Sequence, residues 1–480
     1  MSKTVWQGLG HGRPLLAAVA LAVLVAAGGR GLAAEREVGV EGRSDLVVTV
    51  YNRDLGLIDE TRRIALQAGE NVLVLSEVSP SLRPETLLLE GTGVRLLEQS
   101  LRFDLLTPQR LLEKSVGGAV WVVRTHPETG EETLVEAELL SAAEGPVVRI
   151  AGRVESVPTD RLAFAEVPEG LRPRPTLIAR LESEAAGERD LRIQYLTAGL
   201  TWQADYLAEV NAGEDRLDLT GLVTLTNASG VDFPDARLRL VAGEVNQAGG
   251  PVAMRGAVTM MAEAAAPVPE GLAAQAIGEQ HLYEVERPVT LADRETKQIV
   301  LLRAGGVAVS KEFRFEALVN VQGGAEEIGP LQADVVLRFE NVADGGPGKP
   351  LPGGVVRVYR PGGADGAPVF IGEDRIGHTP VGEEVRLAIA RAFDVTGRAK
   401  RTALERLSSK SYESAQEIVV ANAKDEAVQV KVVGHMPPGW RMLTESAAHE
   451  QETANRIAWT LAVPAGGETT FRYRVRVTRP

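Results

Sequence analysis

Four side chains in the stretch Asn227-Ala-Ser-Gly-Val-Asp-Phe-Pro-Asp235 carry oxygen atoms: Asn227, Ser229, Asp232 and Asp235. Hard ligands crowded into one short loop are what a calcium ion takes. The same residue types are what a turn uses to hydrogen-bond its own backbone. Turn chemistry is the preferred reading of Asn227, Asp232 and Asp235, and a cation site is the alternative. A second constellation is Gly372-Glu-Asp-Arg-Ile-Gly-His-Thr-Pro-Val-Gly-Glu-Glu384, which sets Glu373, Asp374 and His378 close together between glycines. Two carboxylates beside an imidazole have the chemistry for general acid–base work. The plainer reading is a tight solvated loop feeding a strand over 385–389.

The patterns that usually mark catalysis are absent. The six histidines are His11, His126, His281, His378, His435 and His449, and none pairs at metal-ligand spacing. Glu113-Lys-Ser-Val-Gly117 approaches a nucleophile elbow but lacks its first glycine. Gly348-Lys349 is followed by Pro350, so no phosphate-binding loop forms there. With no cysteine, thiolate metal sites, disulfides and a cysteine nucleophile are excluded. The expectation is a chain without a cofactor and without a resident metal.

The elements that position these residues read as strands. Leu217, Leu219, Gly221, Val223 and Leu225 alternate with Asp218, Thr220, Thr224 and Thr226, and Leu222 is the single exception. Period two marks a half-buried strand. After the Asn227–Asp235 loop the alternation resumes at Ala236, Leu238 and Leu240. Trp202 and Tyr206 share the parity of one sheet face; core is the preferred reading, an exposed ligand platform the alternative. Toward the C-terminus Val428, Val430 and Val432, then Ile457, Trp459, Leu461 and Val463, then Phe471, Tyr473, Val475 and Val477 repeat the pattern. The fold class expected is mainly β, with several antiparallel, immunoglobulin-like β-sandwich units, a small barrel-like insertion and a flexible internal loop.

At 480 residues the chain exceeds a single core. Residues 1–34 hold basic side chains, an apolar run of about 13 residues and a small-residue end, the layout of a secretory signal peptide. The remaining plan is an N-terminal β unit over 44–100, the barrel-like insertion over 101–170 with a short helix at 108–114, and a central sandwich over 171–390. An Ala/Gly/Pro-rich flexible insertion falls at 248–280, and a C-terminal sandwich covers 391–480. The net charge is −13, and without residues 1–34 it is −16, from 49 basic and 65 acidic residues. Such a balance disfavours nucleic acid and anionic membrane as partners.

Leu196-Thr-Ala-Gly-Leu-Thr-Trp-Gln-Ala-Asp-Tyr206, Leu219-Thr-Gly-Leu-Val-Thr-Leu-Thr-Asn-Ala-Ser-Gly230 and Asp235-Ala-Arg-Leu-Arg-Leu-Val-Ala-Gly243 carry a likeness. So do Leu105-Leu-Thr-Pro-Gln-Arg-Leu-Leu-Glu-Lys114, Gly372–Pro380 and Glu417–Asn422. Together these resemble bacterial domain-of-unknown-function family 4139 over residues 45 to 480. Mucoidy-inhibitor-like proteins are distant relatives whose coiled-coil segment this chain lacks. The resemblance implies an extracytoplasmic β-rich protein and no particular activity. The function expected is that of an exported, non-enzymatic binding or assembly protein of the cell envelope. Its partner would be an envelope protein or polymer, or a second copy, with no membrane contact beyond the signal segment. The alternatives are a hydrolase of envelope polymers acting through 372–384, and a calcium-stabilised adhesin.

Overall fold

A computed structural model describes residues 35–102, 106–168, 170–172, 176–247, 272–321, 326–362 and 366–478. The expected signal peptide at 1–34, Leu105 of the family likeness and residues 248–271 of the expected insertion lie outside the described residues. The rest of that insertion is corrected: Ala273–Ile277 is a strand, paired antiparallel with Gln280–Glu284 across a tight turn. Of the described residues 65% are strand and 3% helix, so the protein is mainly β.

The largest sheet has twelve strands, and it interleaves stretches far apart in sequence. Arg43–Tyr51 pairs antiparallel with Gly56–Leu66 and parallel with Phe233–Ala242. Gly56–Leu66 pairs in turn with Gly187–Thr197. The N-terminal strands thus share one sheet with strands read at the level of sequence as a central unit. A second sheet of five strands runs Glu295–Ala308, Arg216–Asn227, Leu200–Val210, Gly354–Gly362, Ala367–Ile376. Both sheets contribute to one core: Val48, Ile58, Ile193 and Leu240 from the first, Trp202, Tyr206, Leu219 and Val223 from the second. Trp202 and Tyr206 are buried, as core residues. The Trp202 indole donates to the Val241 carbonyl at 3.2 Å, and the Tyr206 hydroxyl donates to the Pro352 carbonyl at 2.8 Å.

The third sheet has nine strands and its own core. Arg456–Val463 and Gly467–Thr478 stand near opposite ends of its strand order, yet Trp459 lies 4.9 Å from Phe471 and 5.1 Å from Tyr473 between ring centres. The sheet therefore folds over on itself to enclose these aromatics. Two long strands, Glu327–Glu340 and Glu384–Arg406, feed both cores: Leu337, Phe339, Val385 and Leu387 face the first, Ala333, Val335, Val395 and Ala399 the second. The boundary read at 390 falls inside the 23-residue strand Glu384–Arg406.

Between Val94–Arg102 and Thr176–Ser183, which pair with each other, sits a five-stranded meander with a separate small core. Its helix, Pro108–Lys114, begins where the Thr107 hydroxyl accepts from the Arg110 amide at 3.2 Å, with proline at the first helical position. The helix lays Leu112 onto Val120, Val122 and Leu139. The meander stays open, because its outer strands, Arg153–Ser156 and Leu162–Ala163, are not paired with each other.

Candidate binding face

Along Leu200–Val210 the side chains of Trp202, Ala204, Tyr206, Ala208 and Val210 enter the core. Alternation turns Gln203, Asp205, Leu207 and Glu209 to the opposite face of the five-stranded sheet. That outer face carries a chain of three hydrogen bonds and one ion pair, with one residue from every strand. The Gln298 amide donates to the Thr224 hydroxyl at 3.2 Å, and that hydroxyl donates to Asp205 at 2.8 Å. Arg357 donates to the other Asp205 oxygen at 3.0 Å, and its Nε stands 3.3 Å from Glu373. Asp205 is only 7% exposed despite lying on the outer face, because these neighbours close over it. The register sets the chain: Thr224 stands opposite Gln298 and Arg357 opposite Glu373. The same face shows apolar side chains. Leu222, the exception to the alternation of its strand, is paired with Val300, which is 38% exposed. Tyr359 meets Phe370 edge to face at 5.7 Å.

The three residues Glu373, Asp374 and His378 are not brought together as a catalytic group. Residues 372–376 belong to the edge strand Ala367–Ile376 rather than to a loop, which corrects the reading of 372–384 as one loop. That strand lacks an apolar repeat because most of its side chains are exposed or half-buried, so the sequence gives no alternation to detect. Glu373 joins the outer chain through Arg357. Asp374 accepts the Ala388 amide at 2.7 Å and the Arg375 amide at 2.8 Å. His378 accepts the Gly353 amide on Nδ1 at 3.2 Å, in a recess with Tyr51, Arg53 and Glu244. Loss of hydration lowers its pKa; the nearby His281 adds to this, while Glu244 opposes it.

The Asn227 cluster is occupied by backbone. Asn227, 1% exposed, donates to the carbonyls of Val231, Leu291 and Ala292 at 2.9, 3.1 and 3.1 Å. Its own oxygen accepts from the Ser229 amide and hydroxyl at 3.0 and 2.7 Å. Asp232 accepts the Asp293 amide at 2.7 Å. Asp235 adopts a positive φ of 49° and donates its amide to Thr290. Among the described residues no three histidine, aspartate or glutamate side chains are grouped to hold a metal ion.

A family model described as Domain of unknown function (DUF4139) matches residues 191–480. The chain belongs to this family. A search of curated proteins gives no match. All five strands of the outer face fall inside the DUF4139 span, as do the motifs at 196–206, 219–230 and 235–243 that carry the likeness. The Leu105–Lys114 motif lies outside it. Sequence reasoning passed over Gln203, Asp205, Thr224, Gln298 and Arg357, since polar residues at outward positions read as ordinary solvated side chains. The available signal was Leu222, an apolar residue on the polar parity of an otherwise regular strand.

Proposed function

We propose that this DUF4139 protein is an exported, non-enzymatic binding or assembly component of the bacterial cell envelope, with the outer face of the five-stranded sheet as its docking surface. The observation that carries the reading is the chain Gln298–Thr224–Asp205–Arg357–Glu373. It fixes a side chain from every strand in place, with Arg357 shared between Asp205 and Glu373, which gives a pre-ordered surface. A carboxylate held by arginine is a poor general base, and the backbone amides on Asp374 leave it a positioning role. The leader-like composition of residues 1–34 supports export. An envelope polymer or protein is the partner class that follows from that address. Tests are direct. The protein recovered from the periplasm or medium begins near Ala34 or Glu35, and a photo-cross-linker at position 203 couples it to envelope material in living cells. Recovery in the cytoplasm with residue 1 retained would overturn export. Cleavage of an envelope polymer by the purified protein, abolished by Glu373→Gln, would overturn the non-enzymatic reading.

A further inference from the structure

We infer that the partner seated on the outer face of the five-stranded sheet is a second copy of this chain, packed sheet against sheet about a two-fold axis. The inference rests on the reading of that face as a docking surface and names its occupant. Three observations point to it.

The first is area. Five strands spaced about 4.8 Å apart, each 9 to 14 residues long at about 3.4 Å per residue, present roughly 700–900 Å². A standard stable interface buries about 800 Å² on each partner.

Charge is the second. The chain carries −13, so copies repel one another over most of their surface. On this face the acids are Asp205, Glu209, Asp218 and Glu373, and the bases are Arg303, Arg357 and Arg375. Arg216, on the outward parity of its strand, is a fourth base, so four acids against four bases leave the face neutral. Its most buried acid, Asp205, is already satisfied within its own sheet by Thr224 and Arg357, so closing the face over Asp205 leaves no unpaired charge at that position.

The third is the apolar row. Leu222 and Val300 are directly paired, with Leu207 diagonal to Leu222 on the next strand, and together they break the polar pattern of the outer positions. Phe370, 52% exposed, extends the apolar surface at the far edge beside Tyr359. A two-fold contact sets one such row across its mate, as stacked sheets do about 10 Å apart. The edge-to-face aromatic pair offers no flat stacking platform, which disfavours a sugar ring as the occupant.

The test is sedimentation velocity on the purified full chain across a concentration series. A reversible dimer with a dissociation constant of roughly 1–100 µM is expected. Leu222→Lys and Val300→Lys should each weaken it on the order of 100-fold, because a two-fold contact carries every change twice. Lysine suits both sites in the single copy: position 222 faces Asp205 across the pair, and Val300 lies on an edge strand where lysine is common. Lysine also makes the chain less acidic, so loss of the dimer does not come from greater overall repulsion between the copies. Leu134→Lys, on the inserted meander, should leave the dimer intact. Cooperative unfolding of each variant shows that the fold persists. A wild type that stays monomeric at several hundred micromolar overturns the inference, as does a dimer indifferent to both face variants. In either case, cross-linking of position 203 to envelope material would still stand or fall by itself, so failure of the dimer and failure of the docking surface are told apart.

Discussion

Arg62 is fully buried, and each of its guanidinium nitrogens has a partner. Nε and one terminal nitrogen donate to Glu60 at 2.9 and 2.6 Å, and the other terminal nitrogen donates to the carbonyls of Val38, Gly39 and Ser76. Arg43 grips the second Glu60 oxygen at 2.6 Å. A buried pair of this kind adds little over an apolar pair, but removing one member leaves charge and carbonyls stranded. Arg62→Met should therefore lower unfolding stability by about 3–5 kcal/mol in a urea titration. Asn227 answers to the same logic. Asn227→Asp replaces an amide donor that serves three carbonyls with an acceptor, and a loss of about 3 kcal/mol or more is expected. Calcium or a chelator should leave the melting temperature of the wild type unchanged, since the Asn227 oxygen already holds the Ser229 amide and hydroxyl. A calcium-dependent melt would restore the cation reading. For His378 the pKa is lowered in the folded chain, mainly by lost hydration. The unfolded chain then binds the proton more readily, so stability is full above the ordinary histidine range near 6.5 and falls as pH drops through it. His378→Asn, which keeps an acceptor for the Gly353 amide, should flatten that slope in melts taken between pH 7.5 and 5, a window of about 2.5 units spanning the usual value.

At the scale of elements, the edge strand Ala367–Ile376 lies against Glu384–Arg406 by close backbone approach. Gly372 has φ +149°, and a Cβ placed there would stand 1.9 Å from the Ile389 carbonyl oxygen. Asp374 fastens the same junction through the Ala388 amide. Gly372→Ala should cost more than about 1 kcal/mol, because neither the dihedral nor the space suits a side chain. Hydrogen exchange should quicken in 367–376 before any other strand of the sheet. Unchanged exchange there would show that the two strands do not depend on this contact. Residues such as these explain what the sequence could disclose. Arg216–Asn227 and Gly467–Thr478 were legible because each states its own period, and the short helix Pro108–Lys114 was legible as well. Ala367–Ile376 was not legible, having glycine at the contact and charge at the exposed positions. Neither were the parallel pairings of Arg43–Tyr51 with Phe233–Ala242 or Leu200–Val210 with Gly354–Gly362. Alternation fixes which face a side chain takes and leaves the neighbouring strand unspecified. The candidate face was lost for that reason: Thr224, Asp205 and Arg357 become a chain only once three strands are placed side by side.

Over the whole molecule, this interleaving decides what a single break in the chain can do. The composition of 249–280, with Ala262-Glu-Ala-Ala-Ala-Pro-Val-Pro-Glu270 at its centre, directs a protease there first, ahead of the strand Ala273–Ile277 near its end. Phe233–Ala242 precedes that stretch and pairs with Gln280–Glu284, which ends it, from Arg239 opposite Glu284 to Ala242 opposite His281. The strands before the cut, Leu200–Val210 and Arg216–Asn227, are held between Gly354–Gly362 and Glu295–Ala308, both after it. The first core draws on both sides as well, with Trp202 against Tyr283 at 6.3 Å between ring centres. Neither fragment can close that core alone. Because Glu327–Glu340 and Glu384–Arg406 run on into the second core, the C-terminal sheet is tied to the same assembly. Closing a longer loop adds little entropy cost, so cutting one removes little stability. The two fragments should therefore co-elute on sizing, retain the strand signal in circular dichroism, and separate only in denaturant, with one transition for both. Free separation in native buffer would mean that the pairings across 249–280 contribute too little to hold the two halves together, and that the first core is not the single cooperative unit its strand order describes.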